Sequence, residues 1–326
     1  MKKIAITMGD PAGIGPEVIL RALFQSSEMR DFCIPVVIGD RVVMEEAVSL
    51  PGLSVKLNII RTPEEARHTP GSMDMIDLAL LNSFQKKMPT AEGGRASAAY
   101  IRKAVELAVN KQVDAMVTAP ISKEALKMAG MNWPGHTEMI AELTGTKDYA
   151  MMLAGGPLRV ILVTIHTALR NVPDLVTKEK VLKTIRLAKK ACSMLGIGHP
   201  RIAVAGLNPH AGEAGIFGDE ETREIVPAIE AAAREGISAT GPFPPDTVFH
   251  KAYKGEVDIV VCMYHDQGLI PLKMIAFDKG VNVTIGLPII RTSPDHGTAY
   301  DIAWSGKADP SSMIEALKLA SHMIPA

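Results

Sequence analysis

Short runs of apolar, often β-branched residues alternate along the chain with longer stretches in which apolar positions recur at helical spacing. Ile4-Ala5-Ile6-Thr7 is followed by the helical stretch 16–23, Val36-Val37-Ile38-Gly39 by 41–48, and the alternation continues to the C-terminus. This predicts an α/β protein. The runs 114–118, 160–165, 201–205 and 258–263 are apolar almost throughout. That is the pattern of strands buried on both faces of a mainly parallel sheet, with helices covering both sides. Helices are expected over 94–110, 177–195, 219–235 and 311–323; Gly196 and Gly236 follow two of them as stop signals, and Pro227 kinks or restarts the third.

Composition narrows the class. With 326 residues, 47% of them hydrophobic, the chain can bury a sizeable core. At roughly 150 residues per domain it should form two domains. Lys and Arg total 35 against 36 Asp and Glu, so there is no charge excess to attract nucleic acid. Apolar runs such as 259–263 fall well short of the roughly 18 residues of a membrane helix. The first one, 4–8, ends at Gly9-Asp10-Pro11, too early for a signal peptide. A soluble, cytoplasmic protein is expected, with no membrane partner. Cys33, Cys192 and Cys262 are widely spaced in apolar surroundings, as buried thiols without a chemical role would be.

Pro and Gly gather where strands end, which is where open α/β sheets bind ligands. Gly9-Asp10-Pro11-Ala12-Gly13-Ile14-Gly15-Pro16-Glu17 invites a dinucleotide-binding reading, helped by Asp40 after the second strand. It lacks the third glycine of that fingerprint, however, and Pro16 suits the first position of a helix. A tight turn and a ligand-facing loop are both open.

Three histidines close apolar runs: His166, His210 and His265. Their wide separation excludes a local zinc motif, yet strands of one sheet bring distant residues together, and imidazoles converging on a cleft form the common ligand set of a catalytic divalent metal. The alternative is three hydrogen-bonded loop residues. Asp246 and Asp266 are either carboxylate helpers or helix caps. His136 and Thr137 lie near a predicted helix start, where backbone N–H groups favour an anion; an ordinary N-cap is the competing reading. Lys273, Asn282 and Arg291 offer two cations and an amide in charge-poor surroundings, suited to a phosphorylated or carboxylated substrate or, singly, to surface and turn positions.

Five ordered motifs carry a resemblance: 9–17, Gly-His-Thr-Glu at 135–138, Leu-Asn-Pro-His-Ala-Gly-Glu at 207–213, Met-Tyr-His-Asp-Gln-Gly at 263–268 and Arg-Thr-Ser-Pro-Asp-His-Gly-Thr-Ala at 291–299. Together they resemble the 4-hydroxythreonine-4-phosphate dehydrogenase family end to end. That family includes D-threonate and D-erythronate 4-phosphate dehydrogenases and enzymes acting on aromatic dihydrodiols. The resemblance implies oxidation of a phosphorylated secondary alcohol by NAD or NADP beside a divalent metal (Zn, Mg, Co or Mn), then decarboxylation of the β-keto acid, as in pyridoxal phosphate biosynthesis. It implies His166, His210 and His265 as metal ligands and His136, Thr137, Lys273, Asn282 and Arg291 as substrate contacts, with Asp246 and Lys273 as catalytic candidates. The segments 9–17 and 296–303 are similar to cofactor patterns of isopropylmalate and isocitrate dehydrogenases, which makes His296 and Asp301 candidate cofactor contacts. The implied fold is two α/β/α domains of that kind: 1–130 with 290–326 as a discontinuous terminal domain, and 131–289 as a central domain carrying the metal ligands and dimer contacts. The resemblance also implies a homodimer that completes the metal site across its interface. Other readings are a metal-dependent hydrolase or aldolase using the same histidines, and a binding protein without turnover.

Overall fold

Strands follow the chain as β1 (Lys3–Thr7), β2 (Ile34–Gly39), β3 (Lys56–Ile60), β4 (Ser72–Asp77), β5 (Ala115–Thr118), β6 (Ala150–Gly155), β7 (Leu158–Leu162), β8 (Ile202–Ala205), β9 (Ala239–Phe243), β10 (Ile259–Cys262), β11 (Val281–Ile285) and β12 (Arg291–Pro294). Helices between and after them are α1 (Gly15–Phe24), α2 (Arg41–Val48), α3 (Ala91–Val109), α4 (Lys123–Met128), α5 (His136–Leu143), α6 (Val172–Leu175), α7 (Lys178–Met194), α8 (Val226–Arg234), α9 (Pro245–Tyr253), α10 (His265–Ala276) and α11 (Ser311–Met323). The structure is a computed structural model describing residues 1–25, 32–52 and 54–325. Among them no helix is long and apolar enough to cross a membrane.

The chain forms two compact units, Met1–Lys147 with Leu287–Ala326, and Asp148–Gly286. Residues 131–147 and 287–289, expected in the central domain, group with the terminal unit. Arg102 of α3 lies 5.5 Å over the Trp133 ring there, and Trp133 Nε1 donates to Glu142 in α5 at 2.7 Å.

In the terminal unit the strands run β3-β4-β2-β1-β5-β12, all parallel. Ile4, Ile6, Val36, Val37, Met116 and Val117 are fully buried, as their unbroken apolar runs require. β1 pairs with β2 on one side and β5 on the other, so the chain leaves its end at Gly9 where the winding direction reverses. Gly15 opens α1 with Pro16 beside it, and a Cβ on Gly15 would stand 2.3 Å from the Met8 carbonyl oxygen. Asp40 faces inward: it is fully buried, accepts N–H bonds from Leu80 and Leu81, and receives the Tyr100 hydroxyl.

In the central unit the order is β11-β6-β7-β10-β8-β9, with antiparallel pairing at β11–β6 and β6–β7 and parallel pairing beyond. α10 lays Leu269 and Leu272 into a core with Val160, Leu162, Ala203, Val260 and Cys262. The expected helix 219–235 divides into a π-helical turn, Glu221–Ile225, and α8, which restarts with Pro227 in its first turn. The helix expected from 94 starts at Ala91, because Thr90 supplies the N-cap by accepting from the Gly93 N–H.

Candidate active site

Three neighbouring parallel strands set one rim of the central unit. Val260, Val261 and Cys262 of β10 lie opposite Val160, Ile161 and Leu162 of β7, and Val261 of β10 lies opposite Val204 of β8. Their carboxyl ends therefore emerge side by side, leading to His166, His265 and His210. Two buried polar side chains tie these exits together. Thr164 Oγ1 donates to the Met263 carbonyl at 2.7 Å; Gln267 accepts from the Met263 N–H and donates to the Gly206 carbonyl, both at 2.7 Å.

The His166 and His265 rings stand 5.7 Å apart, centre to centre, on a cavity of about 440 Å³ also lined by Ile165, Thr167, Leu169 and Asp266. Asp266 Oδ1 lies 2.7 Å from His265 Nδ1. A carboxylate beside one ring nitrogen is the kind of contact that fixes the orientation of a metal-binding imidazole. Rings that share one ion through nitrogens at about 2.0–2.1 Å have centres about 5–6 Å apart, so this pair fits a divalent metal.

His210 stands on a turn of unusual shape. Residues 210–214 all have positive φ (53°, 54°, 79°, 41° and 55°), and four of the five carry a Cβ. Left-handed backbone costs roughly 1–2 kcal/mol per such residue, so the turn holds several kcal/mol of local strain. Among the described residues no group of three His, Cys, Asp or Glu side chains gathers in metal-holding geometry. The structure thus brings His166 and His265 together without adding His210 as a third ligand.

The remaining candidates of this unit are distributed around it. Lys273 lies on α10 with its ammonium 5.8 Å over the Phe277 ring. Asn282 is on β11, its buried Oδ1 without a hydrogen-bond partner among the described residues. Asp246 is exposed in the first turn of α9, whose N-cap is Pro244, so it is not the capping residue.

In the terminal unit a buried polar corner forms where α5 begins near β5 and β12. Arg291, 2% exposed, donates to Thr118 Oγ1 from Nε at 3.2 Å and from Nη2 at 2.7 Å. Burial pulls its pKa down to about 9, opposed by the Glu138 carboxylate, so the guanidinium stays charged at neutral pH. His136 opens α5, and its buried Nε2 has no hydrogen-bond partner among the described residues. Burial, then the Arg291 charge, hold its imidazole well below the ordinary value, against a backbone hydrogen bond to Ala119. Thr137 is buried beside it, and the N-cap is Gly135, which has no side chain to satisfy the first amides. A desolvated cation beside a helix start is suited to an anion, whereas the neutral imidazole, bonded to the Ala119 backbone through its other nitrogen, presents Nε2 as an acceptor.

The same unit joins the first and last motifs. Ile14 N–H donates to the Thr298 carbonyl at 3.0 Å, and the Tyr300 hydroxyl donates to Asp10 Oδ2 at 2.7 Å. His296 and Asp301 sit on this second segment, where His296 Nδ1 lies 3.1 Å from the Gly297 carbonyl.

Comparison with known proteins places these motifs. The family model described as "Pyridoxal phosphate biosynthetic protein PdxA" matches residues 31–320. The chain belongs to that family. Among PdxA relatives, a 4-hydroxythreonine-4-phosphate dehydrogenase of Desulfosudis oleivorans is 55% identical over 97% of this chain and 94% of its own. A D-threonate 4-phosphate dehydrogenase of Pectobacterium atrosepticum is 47% identical over 99% of both. The crystal structure of 4-hydroxythreonine-4-phosphate dehydrogenase from Klebsiella pneumoniae superposes with a TM-score of 0.92 at 46% identity, covering 99% of this chain and 98% of that one. A β-decarboxylating dehydrogenase from Thermococcus kodakarensis, 14% identical with a TM-score of 0.52 over 98% of this chain and 82% of its own, shares the fold.

For this PdxA member, sequence reasoning missed the polar residues that hold the candidates in place: Thr118, Thr164, Gln267, Glu221, Asp10 and Tyr300. Asp10 stood inside a quoted motif, and its complete burial, which raises its pKa against bonds from Tyr300 and the Ala12 N–H, marks it as internal. Gln267 also lay in a motif; Thr164 and Glu221 carried no local signal. The three cysteines are free and buried, with burial raising the Cys33 and Cys192 thiols to about 12 and 11, so neither forms a reactive thiolate at neutral pH.

Proposed function

We propose that the chain oxidises 4-phosphohydroxy-L-threonine, with NAD or NADP as hydride acceptor and a divalent metal ion, to a β-keto acid that loses carbon dioxide, as a step of pyridoxal phosphate biosynthesis in the cytoplasm. The observation that carries this reading is the buried Arg291–His136 corner, suited to an anion and set inside a chain 55% identical to a dehydrogenase of that name. The Arg291 guanidinium is a buried cation whose planar donors match a phosphate.

In the terminal unit, Arg291 holds an anionic group of the substrate beside Thr137 at the start of α5, His136 Nε2 accepts from a substrate O–H or N–H, and His296 and Asp301 contact the cofactor. In the central unit, Lys273 binds the second anionic group and the Asn282 Oδ1 accepts from a substrate N–H or O–H. His166, His210 and His265 hold the metal; imidazoles suit zinc or cobalt better than magnesium. The metal held by these histidines would supply stabilisation of negative charge on the substrate oxygens, and the nicotinamide held by His296 and Asp301 would supply the hydride acceptor. Asp246 accepts the hydroxyl proton as the alcohol becomes a ketone, and Lys273 is the candidate to return a proton to carbon once carbon dioxide has left.

The working form is a homodimer. Met274 (83% exposed) and Phe277 (73%), with Ile270 and Ile275, form an apolar face on α10 and the turn after it. A shallow cavity of about 470 Å³ on this face is lined by Lys273 as well as His265. Apolar exposure of this kind marks an interface, and a second copy covering it would enclose both functional side chains.

D-threonate 4-phosphate or D-erythronate 4-phosphate oxidation is the second reading, favoured by 47% identity along the full length of a D-threonate 4-phosphate dehydrogenase. Turnover of the three phosphorylated acids, followed by reduced nicotinamide, tests the assignment. The expected result is a kcat/KM for 4-phosphohydroxy-L-threonine at least tenfold above the others; the reverse order assigns the chain to sugar-acid catabolism.

A further inference from the structure

Glu221 is a buried carboxylate, 3% exposed, to which the proposed chemistry gives no task. Its described partners are N–H groups rather than cations. Oε1 accepts from the backbone N–H of Leu207 and of Asn208, each at 2.7 Å, and Oε2 accepts from Asn208 Nδ2 at 3.0 Å. Those amides lie immediately before Pro209-His210 and the left-handed residues 210–214. The carboxylate also reaches the middle of that run, because a Cβ on Gly212 would stand 2.6 Å from Oε2. One side chain therefore grips the entry to the strained turn and fills the space beneath its centre.

We propose that Glu221 is the positioning residue of His210. Released, a left-handed run with four Cβ-bearing residues relaxes toward ordinary backbone and moves the imidazole from the place the turn gives it. Glu221 makes the strained form the stable one by satisfying two N–H groups that no strand or helix pairs. The inference rests on His210 being a metal ligand, and its test separates the two ideas.

The experiment uses the full-length protein and two readouts: cobalt(II) affinity by titration calorimetry, and amide hydrogen exchange without metal. Glu221→Ala is expected to free the amides of Leu207 and Asn208 and to weaken cobalt binding about 10- to 100-fold, the range for supports of metal ligands. Adding Ala214→Gly, at an exposed position with φ of 55°, should restore part of the affinity, because glycine enters the left-handed region without steric cost. Glu221→Gln keeps one acceptor for the backbone amides but sets an NH2 against Asn208 Nδ2. It should fold as wild type and bind cobalt a few-fold more weakly, so the test survives if the alanine variant does not fold. A merely structural role would lower the melting temperature and leave the cobalt affinity of Glu221→Gln unchanged. Cobalt affinity within about twofold of wild type in Glu221→Ala, while His210→Ala loses it, would overturn the proposal, as would unchanged exchange at 207 and 208. If the wild-type chain binds no cobalt, the metal reading of His210 fails. The exchange arm then decides alone: lost protection supports Glu221 as the support of the turn, and intact protection overturns it.

Discussion

The two units present their candidate residues in opposite ways. In the terminal unit, Arg291, Thr118, Thr137 and the His136 ring nitrogen are buried, and the guanidinium is fixed by two bonds to one hydroxyl. In the central unit, His265 and Lys273 belong to a face from which Met274 and Phe277 project into solvent, and His210 sits on a strained turn. A buried cation must have its surroundings arranged in advance, because an unsatisfied charge in low dielectric is expensive. An exposed rim can be finished by something that arrives later. The Arg291 corner is therefore arranged before anything binds, whereas the histidine rim is an open edge; under the proposed function the first receives an anion and the second is completed by a metal ion and a second chain.

The largest effect should come from the rim. His265→Ala or His166→Ala removes a metal ligand at a strand exit where the sheet needs no imidazole, so turnover should fall by at least about a thousandfold, the scale of losing a catalytic group, while the melting temperature moves by no more than about 2 °C. Parallel steady-state kinetics and calorimetry check both halves. Loss of folding instead would make these histidines structural and erase the contrast.

At the corner, Arg291→Gln keeps most of the volume and removes the charge. The expected loss is about 1.5–3 kcal/mol of transition-state binding, roughly ten- to more than a hundredfold in kcat/KM. The penalty should shrink on a substrate lacking the phosphate if Arg291 grips that group, and persist if it grips the carboxylate. An unchanged kcat/KM would remove the receptor from the account.

A smaller effect is expected at the apolar face. Met274→Lys places a charge where an apolar partner surface is proposed, and should weaken dimer association by at least about tenfold, equivalent to about 1.4 kcal/mol. Sedimentation at several concentrations measures this. A variant that associates like wild type would place the interface elsewhere.

The smallest effect is pH-dependent stability at the corner. Burial and the Arg291 charge keep His136 neutral in the folded state, with its pKa well below the ordinary 6.5. Unfolded chains bind a proton near that pH and folded ones do not, so the contribution is complete above about pH 6.5 and is lost as pH falls below it, by at most about 1.4 kcal/mol per pH unit. His136→Asn should flatten the fall in melting temperature between pH 7 and 5. An equal slope in both proteins would mean that the imidazole is solvated.

The comparison also explains how much was legible in the sequence. The unbroken apolar runs 201–205 and 258–263 contain the parallel strands β8 and β10, and the histidines after them stand at neighbouring exits because register is set by the strands themselves. The antiparallel strand β6 carried no such mark: Ala150-Met151-Met152-Leu153-Ala154 has neither a β-branched bias nor an alternating pattern, so periodicity could not separate strand from buried helix. The helix start at 136 could be read from Gly135-His136-Thr137, but its membership in the terminal unit rests on tertiary contacts such as Trp133 with Arg102. Glu221 was invisible for the same reason: nothing near it in sequence reveals that its oxygens meet the N–H groups of Leu207 and Asn208.

The most direct test of metal-dependent dehydrogenation is the near-ultraviolet absorbance of reduced nicotinamide. Chelator-treated protein would be mixed with 4-phosphohydroxy-L-threonine and NAD or NADP, before and after adding back zinc or cobalt. The account predicts no absorbance without metal, a steady rise on its return, and no rise with His166→Ala or His265→Ala. Substrate consumption without reduced nicotinamide would point to a hydrolase or aldolase, and absorbance that rises equally without metal would contradict the role given to the histidine rim.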